Sequence, residues 1–324
     1  MSRSISTLKE PEQLIFDFFI EQDEEDQKYS QSIELYDAIP KYYWGKQQRD
    51  DRGGLPILKR VFKHKNLEYE VQIRPARLII KGEEKHFYPG VREELVEDAL
   101  RKIATEGRVR KVENLYGLEF SLHELKKELD RTGHNYSKVQ IKEALTICNG
   151  TGITLICKSG GNSIEMMETL FPSLILVSRE KWIESKQRAV VRFNTLVTRS
   201  IEQRSFRQIN YERSMKLASS LARWIHKRMS HNYRQAQSFQ NTYTIHLSTI
   251  IRDSGIVAYK RKSDSKKYVL KVLAELVKED VIYKFDEENI KKGRLLVDVK
   301  FILNPTMIFS GEMKRANALA KAIK

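Results

Sequence analysis

The sequence predicts an α+β protein in which one order of elements, three helices followed by a β-hairpin, occurs twice along the chain. Capping residues and apolar spacings of three and four mark the helices, and apolar runs around turn formers mark the hairpins. The 324 residues, 40% of them hydrophobic, are enough for two domains with buried cores. We therefore expect two tandem winged-helix domains preceded by a flexible acidic N-terminal tail.

The first copy lies in a domain expected over residues 61–188, after a tail covering residues 1–60. Its elements are predicted in this order: a strand within 67–80, a helix at 91–104, a helix capped by Ser121 with Glu124 completing a capping box, a helix capped by Ser137, and a hairpin of 153–157 with 163–167.

The second copy lies in a domain expected over residues 189–310, and a helical tail follows at 311–324. Residues 174–210 would finish the first domain and supply the connection. The elements of the second copy are a long helix at 211–229, a short helix at 246–253 ending at Gly255, a helix at 264–279 capped by Ser263, and strands at 281–285 and 295–303 around a basic loop.

Charge is distributed unevenly between the two halves of the chain. Residues 1–180 contain 28 Lys and Arg against 30 Asp and Glu, a net of −2, whereas residues 181–324 contain 30 against 13, a net of +17. A basic surface of this kind is typical of nucleic-acid binding, although acidic membranes or solubility are alternatives. The second half is therefore expected to bind the polyanion.

We expect a cytoplasmic protein without a membrane partner. The longest apolar stretch, 170–177, is far shorter than the roughly 20 residues that cross a bilayer, and no charged-then-apolar leader begins the chain. Cys148 and Cys157 fall in a predicted helix and a predicted strand, outside any metal-ligand spacing, and are expected to be reduced and buried.

The helix predicted at 264–279 has the pattern of a recognition helix. Its apolar residues lie on one face at 100° per residue, and the other face is polar. Lysine can reach guanine O6 and N7 or phosphate, and aspartate can accept from cytosine N4, whereas the alternative is an ordinary solvated face. The residues expected to contact DNA are Asp264, Lys267, Tyr268 and Lys271 on this helix, Lys260, Arg261 and Lys262 before it, and Lys291, Lys292 and Arg294 in the wing.

Two further sets of cations are weaker candidates for DNA contact. On the long helix, Arg213, Lys216, Arg223 and Lys227 form a basic row that is either a phosphate-positioning row or a solvated face. On the third helix of the first domain, Lys138 and Lys142 are the candidates. The outward face there is nearly neutral and partly apolar, which suits auxiliary DNA contact or dimerisation.

We expect no catalysis, no cofactor and no metal. A glycine-rich loop followed by Lys-Ser or Lys-Thr is missing, and no His-x-His pair is present to hold a metal beside a nicking tyrosine. His226 and His231 flank a helix end, where capping or packing is the expected role.

Several segments together resemble the C-terminal winged helix of iteron-binding plasmid replication initiators, a family that includes the RepA, RepE, Pi and TrfA types. The resemblance is most specific over residues 190–310. The segments are 211–225 with Ala222-Arg223-Trp224-Ile225, 247–252, 259–264, 270–276 and 297–303.

The resemblance implies that both winged helices engage one iteron, with the second reading bases most strongly. It implies a monomer-dimer equilibrium in which monomers open the origin while dimers repress or handcuff it, with help from the host initiator and recruitment of the replicative helicase. The alternatives with the same fold are a transcriptional repressor binding an operator palindrome, and a partition or architectural protein.

One N-terminal segment is similar to the peptide by which some replication proteins bind a sliding clamp. Its residues are Gln13, Leu14, Phe16 and Phe18, and it departs from that pattern at Asp17. The alternative is that this apolar segment packs on its own first domain.

Overall fold

The structure, a computed structural model, describes residues 28–45, 54–105, 109–112, 115–159, 162–176, 189–202, 206–233, 241–256 and 259–322. The helices are α1 Glu34–Ala38, α2 Val91–Ile103, α3 Leu122–Arg131, α4 Lys138–Gly150, α5 Thr195–Glu202, α6 Tyr211–Lys216, α7 Ser220–Asn232, α8 Leu247–Ser254, α9 Lys262–Lys278 and α10 Met307–Ala322. The strands are β1 Tyr29–Ser32, β2 Leu58–His64, β3 Leu67–Arg74, β4 Ala76–Ile80, β5 Glu83–Phe87, β6 Val109–Val112, β7 Leu115–Phe120, β8 Gly152–Ser159, β9 Asn162–Thr169, β10 Ser173–Ile175, β11 Ala189–Arg192, β12 Arg207–Asn210, β13 Tyr243–His246, β14 Ile282–Lys292 and β15 Leu295–Pro305.

The first winged-helix unit is built from α2, α3, α4 and the β8–β9 hairpin, in the predicted order. The predicted capping box at Ser121 and the predicted cap at Ser137 are confirmed. The Ser121 hydroxyl accepts from the Glu124 amide at 3.1 Å, while the Ser121 amide donates to the Glu124 carboxylate at 2.8 Å, and Ser137 and Gln140 repeat this exchange at α4. The hairpin continues into a four-stranded sheet of order β2-β3-β8-β9.

The second unit consists of α7, α8, α9 and the β14–β15 hairpin. A short strand that the sequence analysis missed, β13, pairs with β15, so the sheet has the order β13-β15-β14. The single helix predicted at 211–229 is wrong, because the chain leaves the helix at Leu217, which is extended and fully buried. A new helix, α7, begins after Ser219, whose hydroxyl accepts from the Ala222 amide.

Each unit has its own apolar core, and the first core reaches past the predicted boundary at 188. It includes Val191, Phe193 and Met215, so the second core begins with Leu217. The predicted C-terminal tail is largely the helix α10, and its Phe309 belongs to the second core.

Residues 28–45 are folded rather than part of a tail. Strand β1 pairs antiparallel with β12, which lies between the two units in the sequence. In this segment Tyr36 is buried in the first core, and Trp44 packs against the second. The segment therefore connects both cores. The clamp-like residues Gln13, Leu14, Phe16 and Phe18 lie outside the described residues.

Buried ion pairs join helix α2 of the first unit to helix α7 of the second. The Arg223 guanidinium donates to the Glu94 carboxylate at 3.0 Å, and their side chains are 1% and 4% exposed. The Lys227 ammonium lies 2.6 Å from Asp98. Burial by itself would lower the pKa of Arg223, but Glu94 outweighs that effect and raises it. The two units are thus held together by neutralised charges as well as by apolar contact.

Removing one partner of this pair should strongly destabilise the protein. We expect Glu94→Gln to lower the free energy of unfolding by about 3–5 kcal/mol, because Arg223 would stay buried without its carboxylate. Urea unfolding of the full chain measures this. The matched control is Asp130→Asn, which breaks the exposed Lys126–Asp130 pair on α3 and should cost less than about 1 kcal/mol. Equal losses for the two variants would contradict a structural role for Arg223 and Glu94.

His226 should make the protein less stable in acid. Its ring is fully buried against Phe309, at 5.9 Å between centroids, and neither ring nitrogen has a hydrogen-bond partner among the described residues. Burial, with smaller effects of Arg213 and Lys227, lowers the pKa of His226 from 6.5 to about 3. Between these two values the unfolded chain binds a proton that the folded chain does not.

The contribution of His226 to the free energy of unfolding should therefore fall by up to about 1.4 kcal/mol for each pH unit lost between about pH 6 and 4. Urea unfolding of the wild type and of His226→Phe across this range measures the difference, in which the other titrating groups cancel. Parallel pH profiles for the two proteins would show that His226 is not the group responsible.

Candidate nucleic-acid interface

Helix α9 is the third helix of the second unit, and its apolar face packs into the second core. Gly255 ends α8 with φ of 74°, in the left-handed region that favours glycine. The predicted cap of α9 is wrong: the N-cap is Arg261, and Ser263 already lies in the first turn. Val269 and Leu273 are fully buried on the inner face. The burial of these two side chains determines which side of α9 faces solvent.

The outward side of α9 carries the predicted lysines. Lys267 and Lys271 are exposed, as are Lys260 and Arg261 just before the helix. Within the described part of the chain, none of these four side chains has an ion-pair or hydrogen-bond partner. The other two predicted residues of α9 are half-buried: Asp264, and Tyr268, whose ring lies 6.0 Å from that of Tyr259.

The strands of the wing are longer than predicted. Strands β14 and β15 run to a turn at Gly293 and Arg294, where Gly293 has φ of 61°. Lys291 and Lys292, which the sequence analysis placed in a loop, are the last residues of β14, and they are exposed together with Arg294. The wing therefore presents three cations on a defined hairpin end.

Two lysines attach the wing to α9. The Lys262 ammonium donates to the backbone carbonyl of Val297, next to a register shift in the hairpin. The Lys266 ammonium contacts the Glu287 carboxylate at 2.5 Å and the Asn289 side-chain oxygen at 3.0 Å. Lys262 was predicted to flank a phosphate, but here it is bound to the wing. No local signal in the sequence marks Lys266 for this role, because its partners are more than 20 residues away.

The phosphate-positioning row predicted on the long helix is wrong for three of its four residues. Arg223 and Lys227 are directed into the first unit, onto Glu94 and Asp98. Arg213 is largely buried and pairs with Glu312 of α10 at 2.5 Å. Only Lys216, of these four, is exposed. The row looked solvent-facing because the helical spacing of a cation is the same whether it faces water or another domain.

The equivalent helix of the first unit presents a different surface. Lys138 and Lys142 are exposed on α4, and Val139 between them is 76% exposed. Glu143 is paired with Arg92 at 2.9 Å. The outward face of α4 is thus weakly charged and partly apolar, in contrast to that of α9.

A cleft of about 690 Å³ lies between the units, and its lining includes His231 and Asp37. Ser32 donates to Asp37 and lies 2.7 Å from the Nε2 atom of His231. Burial by itself would raise the pKa of Asp37, but Arg101, His231 and Lys41 hold it well below its usual value. Because Ser32 is fully buried, no substrate can reach its hydroxyl. This group joins residues 28–45 to α7.

Two features are absent from the residues that the structure describes. Nowhere in the described ranges do three or more His, Cys, Asp or Glu side chains lie together as ligands for a metal ion. Among the helices in those ranges, none combines the length and apolar character needed to span a bilayer.

Comparison with known proteins finds similarity in structure alone. No family profile matches the sequence, and no curated protein matches it significantly. A crystal structure of domains 2 and 3 of RctB is similar with a TM-score of 0.49 and 12% identity, over 79% of this chain and 93% of that one. A second crystal structure of the same domains gives 0.49 and 13%, over 86% and 99%. The Pi initiator protein in complex with iteron DNA gives 0.46 and 14%, over 67% and 91%.

Proposed function

We propose that this chain is a replication initiator that binds repeated double-stranded origin sites, with α9 in the major groove and the wing on the flanking backbone. The observation that carries the proposal is a cluster of exposed cations, Lys267 and Lys271 on α9 with Lys291, Lys292 and Arg294 on the wing, which have no ion-pair or hydrogen-bond partner among the described residues. They lie in a half of the chain whose net charge is +17. A major groove about 12 Å wide admits one helix, and on a helix lying there Lys267 and Lys271 would reach guanine edges.

The wing and α9 are proposed to have different roles in binding. Lys291, Lys292 and Arg294 lie on a hairpin end, where contact with phosphates adds affinity without sequence information. The neutral surface of α4, with Lys138 and Lys142, adds auxiliary contacts. The protein is proposed to act by binding, without a catalytic step.

The asymmetry of the chain favours repeated sites in one direction. Helices α4 and α9 differ in charge, and the buried ion pairs between α2 and α7 fix the two units to each other. One chain therefore covers a site without two-fold symmetry, and further chains would occupy direct repeats. A palindrome instead requires a symmetric dimer.

The second candidate function, a repressor on an operator palindrome, is favoured by one feature of the first unit. Strand β9 is at the edge of its sheet, and Ile164 and Met167 on it are 72% and 64% exposed. Such an edge can pair with a second copy, which also supports the proposed monomer-dimer equilibrium. Direct repeats about two helical turns apart beside the gene would support the initiator, and a single palindrome the repressor.

The later steps of initiation are proposed from the family resemblance. They are opening of the origin, help from the host initiator, recruitment of the replicative helicase and control of plasmid copy number, in the cytoplasm. Docking of Gln13, Leu14, Phe16 and Phe18 on a sliding clamp belongs to the same set of proposals.

Alanine substitutions should separate base reading from phosphate contact. On a duplex that the chain selects from a random pool, Lys271→Ala should weaken binding by about 1–3 kcal/mol and weaken binding to a scrambled duplex less. Lys292→Ala should weaken both alike and flatten the slope of log K against log salt by roughly one unit, because one fewer counterion is released. Salt titrations on both duplexes measure these effects.

The matched control is Lys314→Ala, an exposed lysine on α10, which should change neither the affinity ratio nor the salt slope. If Lys271→Ala leaves the cognate-to-scrambled ratio unchanged, α9 is not the reading element. The same wild-type preparation should leave supercoiled DNA unnicked and ATP unhydrolysed.

A further inference from the structure

We infer that the wing carries an apolar wedge, in which Leu295 enters the minor groove and unstacks a base step. The inference rests on the proposed function, since it concerns the same DNA complex, and it adds a deformation of the DNA to the reading of its sequence. Leu295 is 70% exposed, and two further apolar side chains of the wing end, Ile290 and Val297, are 41% and 37% exposed.

Leu295 lies at the tip of the wing, so it can enter a groove that the rest of the unit does not reach. It follows the turn at Gly293 and Arg294 directly and is paired across the hairpin with Lys292. Along β15 the second core ends at Val299, which is fully buried. Four residues of strand, about 13 Å, therefore separate Leu295 from the core, which is enough for a hairpin end to reach the floor of a minor groove roughly 7.5 Å deep.

The charge around Leu295 selects a polyanion as the partner. Residues 291–297 include three cations and no acidic residue. The nearest carboxylates are already occupied: Glu288 pairs with Lys300 at 3.0 Å, and Asp298 accepts from the Ser248 hydroxyl at 2.6 Å. An apolar side chain with cations beside it on the hairpin matches a minor groove, where sugars and base edges lie between two rows of phosphates.

The wing is also braced, as a wedge has to be. Unstacking a base step costs free energy, and a hairpin that bends back would not hold the step open. Lys262 binds the carbonyl of Val297 at the register shift, and Lys266 holds Glu287 and Asn289. The position of Leu295 is thereby tied to that of α9, so the unstacked step would lie at a fixed distance from the bases that α9 reads.

The test uses the full chain and the duplex selected from a random pool, with 2-aminopurine placed in turn at each position on the wing side of the α9 footprint. Wild type should raise the fluorescence at one step severalfold and bend the duplex, as measured by energy transfer between its ends. Leu295→Ala should abolish both signals while leaving the salt slope unchanged, and Leu295→Met should keep most of them. Lys292→Ala should keep the fluorescence rise at saturation and lose about one unit of salt slope.

Because Leu295 is exposed, Leu295→Ala and Leu295→Met should unfold at the same urea concentration as the wild type. That result would exclude a folding defect as the cause of a lost signal. A fluorescence rise and bend that are equal in wild type and Leu295→Ala would overturn the wedge while leaving the initiator proposal in place. Failure of wild type to select any duplex from the pool would instead overturn the proposed function.

Discussion

The arrangement of the molecule depends on the ion pairs buried between α2 and α7. Helix α2 carries four buried carboxylates, and their burial would be unfavourable without neighbouring cations. Each has a basic neighbour: Glu93 with Arg92, Glu94 with Arg223, Glu97 with Arg101, and Asp98 with Lys227. Two of these cations come from the second unit, and the hydrogen bonds that they donate have fixed directions. The contact therefore sets how the two winged helices face each other, and with it the spacing between α4 and α9, the two helices proposed to contact DNA.

The same contact engages part of the positive charge of the second half. This part neutralises the acidic first unit inside the molecule, through Arg223 and Lys227. Among the described residues, no ion pair or hydrogen bond engages Lys267 and Lys271 of α9 or Lys291, Lys292 and Arg294 of the wing, and these are the cations proposed to contact phosphates and bases. The basic residues of the second half thus differ in what they contact, and only the unpaired ones contribute to the proposed binding of DNA. Lys262 and Lys266 form a further class, because their ammonium groups bond to the wing and hold it against α9.

Features determined by local chemistry were predictable from the sequence. The capping box at Ser121, the cap at Ser137, the helix end at Gly255 and the inner face of α9 each depend on residues within about four positions of one another. Features determined by distant partners were not. Arg223 has the spacing of a solvated residue, and its carboxylate is 129 positions away. Strand β1 pairs with β12 across most of the first unit, which is why residues 28–45 resembled a tail.

The central claim is that DNA lies against α9 and the wing, while α7 faces the first unit. Hydrogen-deuterium exchange of the wild-type chain, with and without its selected duplex, tests this without any substitution. DNA should slow exchange at residues 259–271 and 289–297 and leave residues 220–232 unchanged. Slower exchange over 220–232, with no change at α9 and the wing, would contradict the claim and restore the basic row of the long helix as the DNA-binding surface.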